Sequence, residues 1–285
     1  MSIIRPSRLL EITALFFSIW ISNSAPCSAD QQSVPPAKAI EFEGDLPFTP
    51  KPLILKGYLR RPDGAGRYPA IVLLHGCGGI AERLDQNWGP RLASWGYVTL
   101  TIDLFGPRGI GNICGKPYPR DLEFDAYRGL NFLARQPFVD ANRIVAMGFS
   151  QGGSLALLSV ERGAIEQTYQ NKFRAAVAYY PSCDGLKGIA VVPALILIGE
   201  RDSFTPGCRD MVDGRGGDFG TSRTPGEGAP IRLVVYPEAY QGFDVLKFKT
   251  PVDYAGYHLE FNQSATDQSL DELREFLHAT VGSHQ

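Results

Sequence analysis

Basic residues hold no majority in this chain: 28 Lys and Arg stand against 30 Asp and Glu, a formal charge of −2 over 285 residues. No run of Lys and Arg occurs, so the electrostatic footprint that a phosphate backbone demands is missing and nucleic acid is not an expected partner. Histidine is scarcer, with four residues in all, and candidates for proton transfer at neutral pH are correspondingly few. No internal repeat is found, and past the N-terminus no apolar run approaches the roughly 20 residues of a membrane span. What the chain has in quantity is apolar side chain, 44% against 20% charged, enough to bury a full core as one domain.

The N-terminus departs from that average. Arg5 and Arg8 precede an apolar stretch from Leu9 to Ile21 that ends in small and polar residues, which is the layout of a signal peptide. Residues 1–29 are read as that signal, cut after Ala29 or, as second choice, after Ala25. An uncleaved anchor and a buried helix compete with this reading, but the stretch is short for a span and contains Glu11. Residues 30–50 are then an N-terminal leader and 51–285 the folded domain, periplasmic or secreted, with no membrane partner after cleavage. Cleavage would leave Cys77, Cys114, Cys183 and Cys208, an even number in a compartment where disulfides persist. Of three possible pairings, Cys183 with Cys208 is favoured, both lying in loops at neighbouring strand ends, followed by Cys77 with Cys114. Free buried thiols are the alternative.

Apolar, β-branched runs alternate with stretches of helical period, the pattern of a mostly parallel sheet flanked by helices on both faces. Strands are expected at 53–59, 70–74, 97–102, 143–147, 175–180, 194–198 and 231–236. The clearest helices are expected at 83–95, 120–135, 150–162 and 269–280, with Gly96 and Gly163 as stops. The Gly- and Pro-dense segment 207–230 reads as a mobile surface excursion.

Gly148-Phe149-Ser150-Gln151-Gly152 follows the strand Ile144–Met147 and opens the helix that runs through Leu155–Leu158. A G-x-S-x-G at a strand-to-helix turn is a nucleophile elbow, the mark of the α/β-hydrolase fold, and it holds the Ser150 hydroxyl above the sheet. A serine cap in a Gly-rich turn is the plainer reading, and the flanking strand and helix argue against it. The Gln151 N–H at the helix start forms half of an expected oxyanion hole. Leu73-Leu74-His75-Gly76-Cys77-Gly78-Gly79 supplies the other half through a main-chain N–H, assigned to Cys77, while His75 is read as bracing the loop. Past the strand 194–198, Asp202 stands where a triad takes its acid, with Glu200 as competitor.

Together with Asp103-Leu104-Phe105-Gly106-Pro107-Arg108-Gly109, Tyr180-Pro181-Ser182-Cys183, Gly199 to Pro206 and Tyr236 to Phe243, these motifs make the chain from about Leu53 to Leu277 resemble the dienelactone hydrolase family. The resemblance implies hydrolysis of a small ester or lactone by a nucleophile, acid and histidine triad, without metal or organic cofactor. The chain departs from it twice. The family's namesake uses Cys where this chain has Ser150, and serine needs a base more strictly than a thiol does. Where the family pattern places its histidine, in Tyr236-Pro237-Glu238-Ala239-Tyr240-Gln241-Gly242-Phe243, this chain has Gln241. An amide cannot take the serine proton, and loss of the base in such triads can cost about six orders of magnitude in turnover.

Of the remaining histidines, His284 sits in the tail and His278 on the terminal helix. His258 follows Asp202 in chain order and is the candidate substitute base, against a plain surface residue. Arg108 is a candidate to clamp a substrate carboxylate. Two functions follow: a serine hydrolase of small carboxylic esters or lactones working through an acyl-enzyme on Ser150, or a degenerate hydrolase serving as a binding or accessory protein of the cell envelope. A peptidase or acyltransferase on the same fold is a third.

Overall fold

The computed structural model describes Met1 and residues 35–44, 53–117, 119–215, 224 and 226–283. The chain divides into a unit of residues 1–32 and a unit of residues 33–285. Met1 apart, the described residues all belong to the second unit, and the expected signal peptide lies outside them. Eight strands form one sheet: β1 (Lys38–Gly44), β2 (Leu53–Arg60), β3 (Tyr68–Leu74), β4 (Val98–Asp103), β5 (Val139–Phe149), β6 (Ala175–Tyr179), β7 (Ala194–Gly199) and β8 (Ile231–Tyr236). Their order is β1-β2-β4-β3-β5-β6-β7-β8. The pairs β1–β2 and β2–β4 are antiparallel and every other pair is parallel.

Helices pack around this sheet: α1 (Ala81–Ser94), α2 (Asp125–Ala134), α3 (Gln151–Leu158), α4 (Ala164–Thr168), α5 (Thr205–Val212) and α6 (Gln263–Val281). Every residue of β3, β6 and β7 is buried. Continuous apolar runs such as Tyr-Pro-Ala-Ile-Val-Leu-Leu are required there because both faces are covered. The architecture is the α/β-hydrolase fold expected from the alternating pattern.

Register places the site. Leu74 pairs with Gly148, Phe149 with Tyr179, and Gly199 with Tyr236. The carboxyl ends of β3, β5, β6, β7 and β8 therefore finish level, and the loops that follow them share one edge of the sheet, where open α/β sheets bind ligands.

Several expectations change, among them the helix 150–162 with Gly163 as its stop: α3 ends at Leu158 and Gly163 is the N-cap of α4. Residues 38–44, assigned to the leader, are β1, held by a full antiparallel register with β2 and by Phe42, which is buried. The expected helix 120–135 begins as a 3-10 turn, Arg120–Phe124, before α2. The segment 207–230 opens inside α5, whose Cys208 and Met211 are buried; residues 216–223 and 225 lie outside the described residues. The last helix starts at Gln263 rather than Ser269, because Asn262 caps it by accepting a 3.0 Å bond from the Ala265 N–H. Both favoured cysteine pairs are bonded, Cys183 to Cys208 and Cys77 to Cys114. Among the described residues no helix is long and apolar enough to cross a membrane.

Candidate active site

Ser150 occupies the single residue between β5 and α3, at φ +51° and ψ −120°. A side chain in that backbone region costs about 1–3 kcal/mol and persists only where its neighbours over-determine it. Here they do. The Ser150 N–H donates to the Tyr179 carbonyl at 2.9 Å, and its own carbonyl accepts from Ser154 at 3.1 Å. The flanking glycines are compulsory: a Cβ on Gly148 would stand 2.0 Å from the Gly152 oxygen, and one on Gly152 would stand 2.2 Å from the Leu74 oxygen. The turn is thus too tight for any other residue at either position.

The loop after β3 forms the facing wall. His75 is buried; its Nδ1 lies 2.8 Å from the Gly76 carbonyl and its Nε2 accepts the Leu104 N–H at 3.0 Å. The first contact requires a proton on Nδ1 and the second a free Nε2, so the neutral tautomer is fixed, and burial pushes the imidazole below its ordinary range. His75 braces the loop, as expected. Cys77 is tied to Cys114, and its carbonyl accepts from Ile113 at 3.0 Å. Among the described residues no protein acceptor takes the main-chain N–H of Cys77 or of Gln151, the first residue of α3.

Gln241 stands beside Ser150. Its Nε2 donates to Ser150 Oγ at 2.9 Å, its side chain is buried, and among the described residues its Oε1 has no partner. Asp202 lies on the adjoining turn after β7, which is stitched to the turn bearing Gln241 by the Arg201 N–H on the Ala239 carbonyl at 2.9 Å. Asp202 is buried, whereas Glu200 is exposed. One oxygen of Asp202 accepts the Phe204 N–H at 3.0 Å; the other, Oδ2, is buried without a donor. Burial pushes the carboxyl up to about 6.

His258, the candidate base, is placed elsewhere. It sits in a small hairpin of β9 (Val252–Tyr254) and β10 (Tyr257–Leu259). Its Nδ1 lies 2.7 Å from an Asp253 oxygen and its Nε2 3.2 Å from a Glu260 oxygen. Those two carboxylates, Asp253 first, raise its pKa. Both ring nitrogens are engaged, and the residue does not line the cavity in front of Ser150. Local charge complementarity decided its place, which chain order could not foresee. Arg108 is likewise spent within the fold, on Asp121 and the buried Asp125.

The cavity in front of Ser150 measures about 610 Å³. Apolar side chains dominate its wall, including Leu84, Trp88, Phe149, Val245, Phe248 and Leu259. Asp244 on the wall was not singled out from the sequence, and Tyr180 was named there as the start of a motif and given no role. Tyr180, at φ +38°, donates its hydroxyl to Asp244 Oδ1 at 2.7 Å, and Trp88 Nε1 donates to Asp244 Oδ2 at 3.2 Å. Burial raises both Asp244 and Tyr180 above their ordinary ranges. The available signal was an acid directly after the Tyr236–Phe243 motif, one residue beyond where the pattern was read.

The Dienelactone hydrolase family model matches residues 55–280. The chain belongs to the dienelactone hydrolase family. Among curated proteins it is 31% identical over 149 residues to Lipase 1 of Moraxella sp., an alignment covering 51% of this chain and 42% of that protein. The chain thus matches less than half the length of that relative. Among solved structures, a dienelactone hydrolase-like promiscuous phosphotriesterase from metagenomic libraries superposes with a TM-score of 0.62 at 16% identity, covering 87% of this chain and 100% of that one. Esterase 2 of Thermogutta terrifontis gives 0.60 at 18% identity, covering 88% and 96%. At these identities the solved structures establish a shared fold.

Proposed function

We propose that this member of the dienelactone hydrolase family is an exported serine hydrolase of small carboxylic esters or lactones. Ser150 attacks the carbonyl, the main-chain N–H groups of Cys77 and Gln151 receive the oxyanion, and an acyl-enzyme on Ser150 is hydrolysed by water. The observation that carries the reading is the strained backbone of Ser150, held at the mouth of a 610 Å³ cavity. Two disulfides accord with export to an oxidising compartment.

Gln241 shapes the mechanism. As a donor to Oγ it fixes the hydroxyl and favours developing negative charge there, but it removes no proton. Asp202 Oδ2, buried without a donor among the described residues, is what a triad leaves when the imidazole N–H that served its acid is taken away. The second reading, a non-catalytic binding protein of the cell envelope, rests on Gln241 too.

Labelling of the purified protein by a fluorophosphonate, together with hydrolysis of short acyl esters, tests the proposal. Both are expected in the wild type, and both are expected to be lost in Ser150→Ala. A protein that shows neither activity contradicts it.

A further inference from the structure

Proton transfer needs an acceptor, and Gln241 is not one. Of the titratable groups lining the cavity, His75 has both nitrogens committed to the main chain, Arg83 and Lys247 are cations, and Tyr180, Tyr254 and Tyr257 are phenols. Among the described residues on that wall Asp244 is the one carboxylate.

Its setting is a built one. Tyr180 from the end of β6 and Trp88 from α1 each hold one carboxylate oxygen, at 2.7 and 3.2 Å. Tyr180 does so from a positive φ of 38°, a second strained residue on the cavity wall beside Ser150, and such strain marks places where side-chain direction matters. A carboxylate oxygen accepts more than one hydrogen bond, so neither contact closes Asp244 to a ligand. The ionisable groups packed around it are Tyr179 and Tyr180 from the sheet and Arg91 from α1, with Lys247 and Arg83 on the cavity wall.

We propose that Asp244 is the general base of this site, acting through one water molecule of the cavity. The assignment rests on the hydrolase reading given above. As Ser150 Oγ bonds to the ester carbon, its proton passes to the water and the water's to the Asp244 carboxylate. Collapse of the tetrahedral intermediate breaks the bond to the alkoxide, which takes the proton back. Asp244 then deprotonates the water that attacks the acyl-serine; collapse of the second tetrahedral intermediate breaks the bond to Oγ, which takes that proton back from Asp244, and the acid leaves. Burial raises the carboxyl and the Tyr180 hydrogen bond holds it partly down.

The test is the pH profile of ester hydrolysis in full-length protein carrying Asp244→Asn and, separately, Tyr180→Phe. Asp244→Asn is expected to lower kcat by about a hundredfold or more and to abolish the loss of rate on the acid side. Tyr180→Phe removes a donor to the carboxylate, so the acid limb is expected to move to higher pH; this variant carries the test if Asp244→Asn does not fold. In a Gln241→His background, where an imidazole offers a second base, the cost of Asp244→Asn is expected to shrink at least tenfold. A wild type that neither labels at Ser150 nor hydrolyses short esters overturns the hydrolase reading and this assignment with it. An active, labelled enzyme whose rate and profile survive Asp244→Asn, or whose acid limb stays fixed in Tyr180→Phe, overturns the assignment to Asp244 alone.

Discussion

Ser150 and Gln241 meet across 2.9 Å, yet the two corners of the site are held by different kinds of force. Around Ser150 the constraint is covalent and steric: a tight turn, two glycines whose Cβ atoms have no room, and main-chain hydrogen bonds on both sides. Around Gln241 the main-chain carbonyl accepts the Glu260 N–H at 3.3 Å, while among the described residues the amide makes one hydrogen bond, to Ser150 Oγ, and its Oε1 is buried without a donor. The first corner leaves no room for a side chain at either glycine; at the second the side chain itself sets what faces Ser150 Oγ. In the proposed mechanism the position of Ser150 and its activation are therefore set by different residues.

The largest expected break of this contrast is at the elbow. Gly152→Ala drives a Cβ to 2.2 Å from the Leu74 oxygen, main chain on a buried strand that cannot give way. A loss of more than about 4 kcal/mol is expected in denaturant unfolding, or no folded protein at all. A loss under 1 kcal/mol would show the turn to be softer than its geometry.

A smaller effect separates Asp202 from an ordinary surface acid. Its folded pKa of about 6 lies above the ordinary 3.8, so the folded state binds this proton more tightly than the unfolded one. The stability this carboxyl contributes is then fully present below pH ~4 and is lost as pH rises through ~6, by about 2–3 kcal/mol for a shift of this size. Asp202→Asn should flatten that part of the stability curve between pH 4 and 7. An unchanged slope would mean that a donor reaches Oδ2 in solution.

The smallest effect is at the other corner. Gln241→Met keeps the volume, removes the orphaned oxygen and surrenders one hydrogen bond, so stability should stay within about 1 kcal/mol of wild type. A large loss would show Gln241 to be as constrained as the elbow.

Much of this was legible in the residues themselves. The elbow could be read because backbone geometry leaves its mark as glycines at fixed spacing between an apolar strand and an apolar helix. The Gln241 substitution could be read because it falls inside a local motif. β1 was hidden because an edge strand half open to water carries Lys38, Glu41 and Glu43 between its apolar residues. The positions of His258 and Asp244 were hidden for a different reason. One is set by carboxylates on its own hairpin and the other by a tyrosine and a tryptophan 64 and 156 residues away in the chain, and no local pattern records such contacts.

The central claim is that Ser150 is positioned for attack while the residue at 241 withholds a base. Its most direct measurement is kcat/KM for a short-chain aryl ester in Gln241→His against wild type, with Ser150→Ala in the same background as control. A rise of about a hundredfold or more that vanishes in the Ser150→Ala control is predicted. A folded Gln241→His protein no faster than wild type would contradict the account.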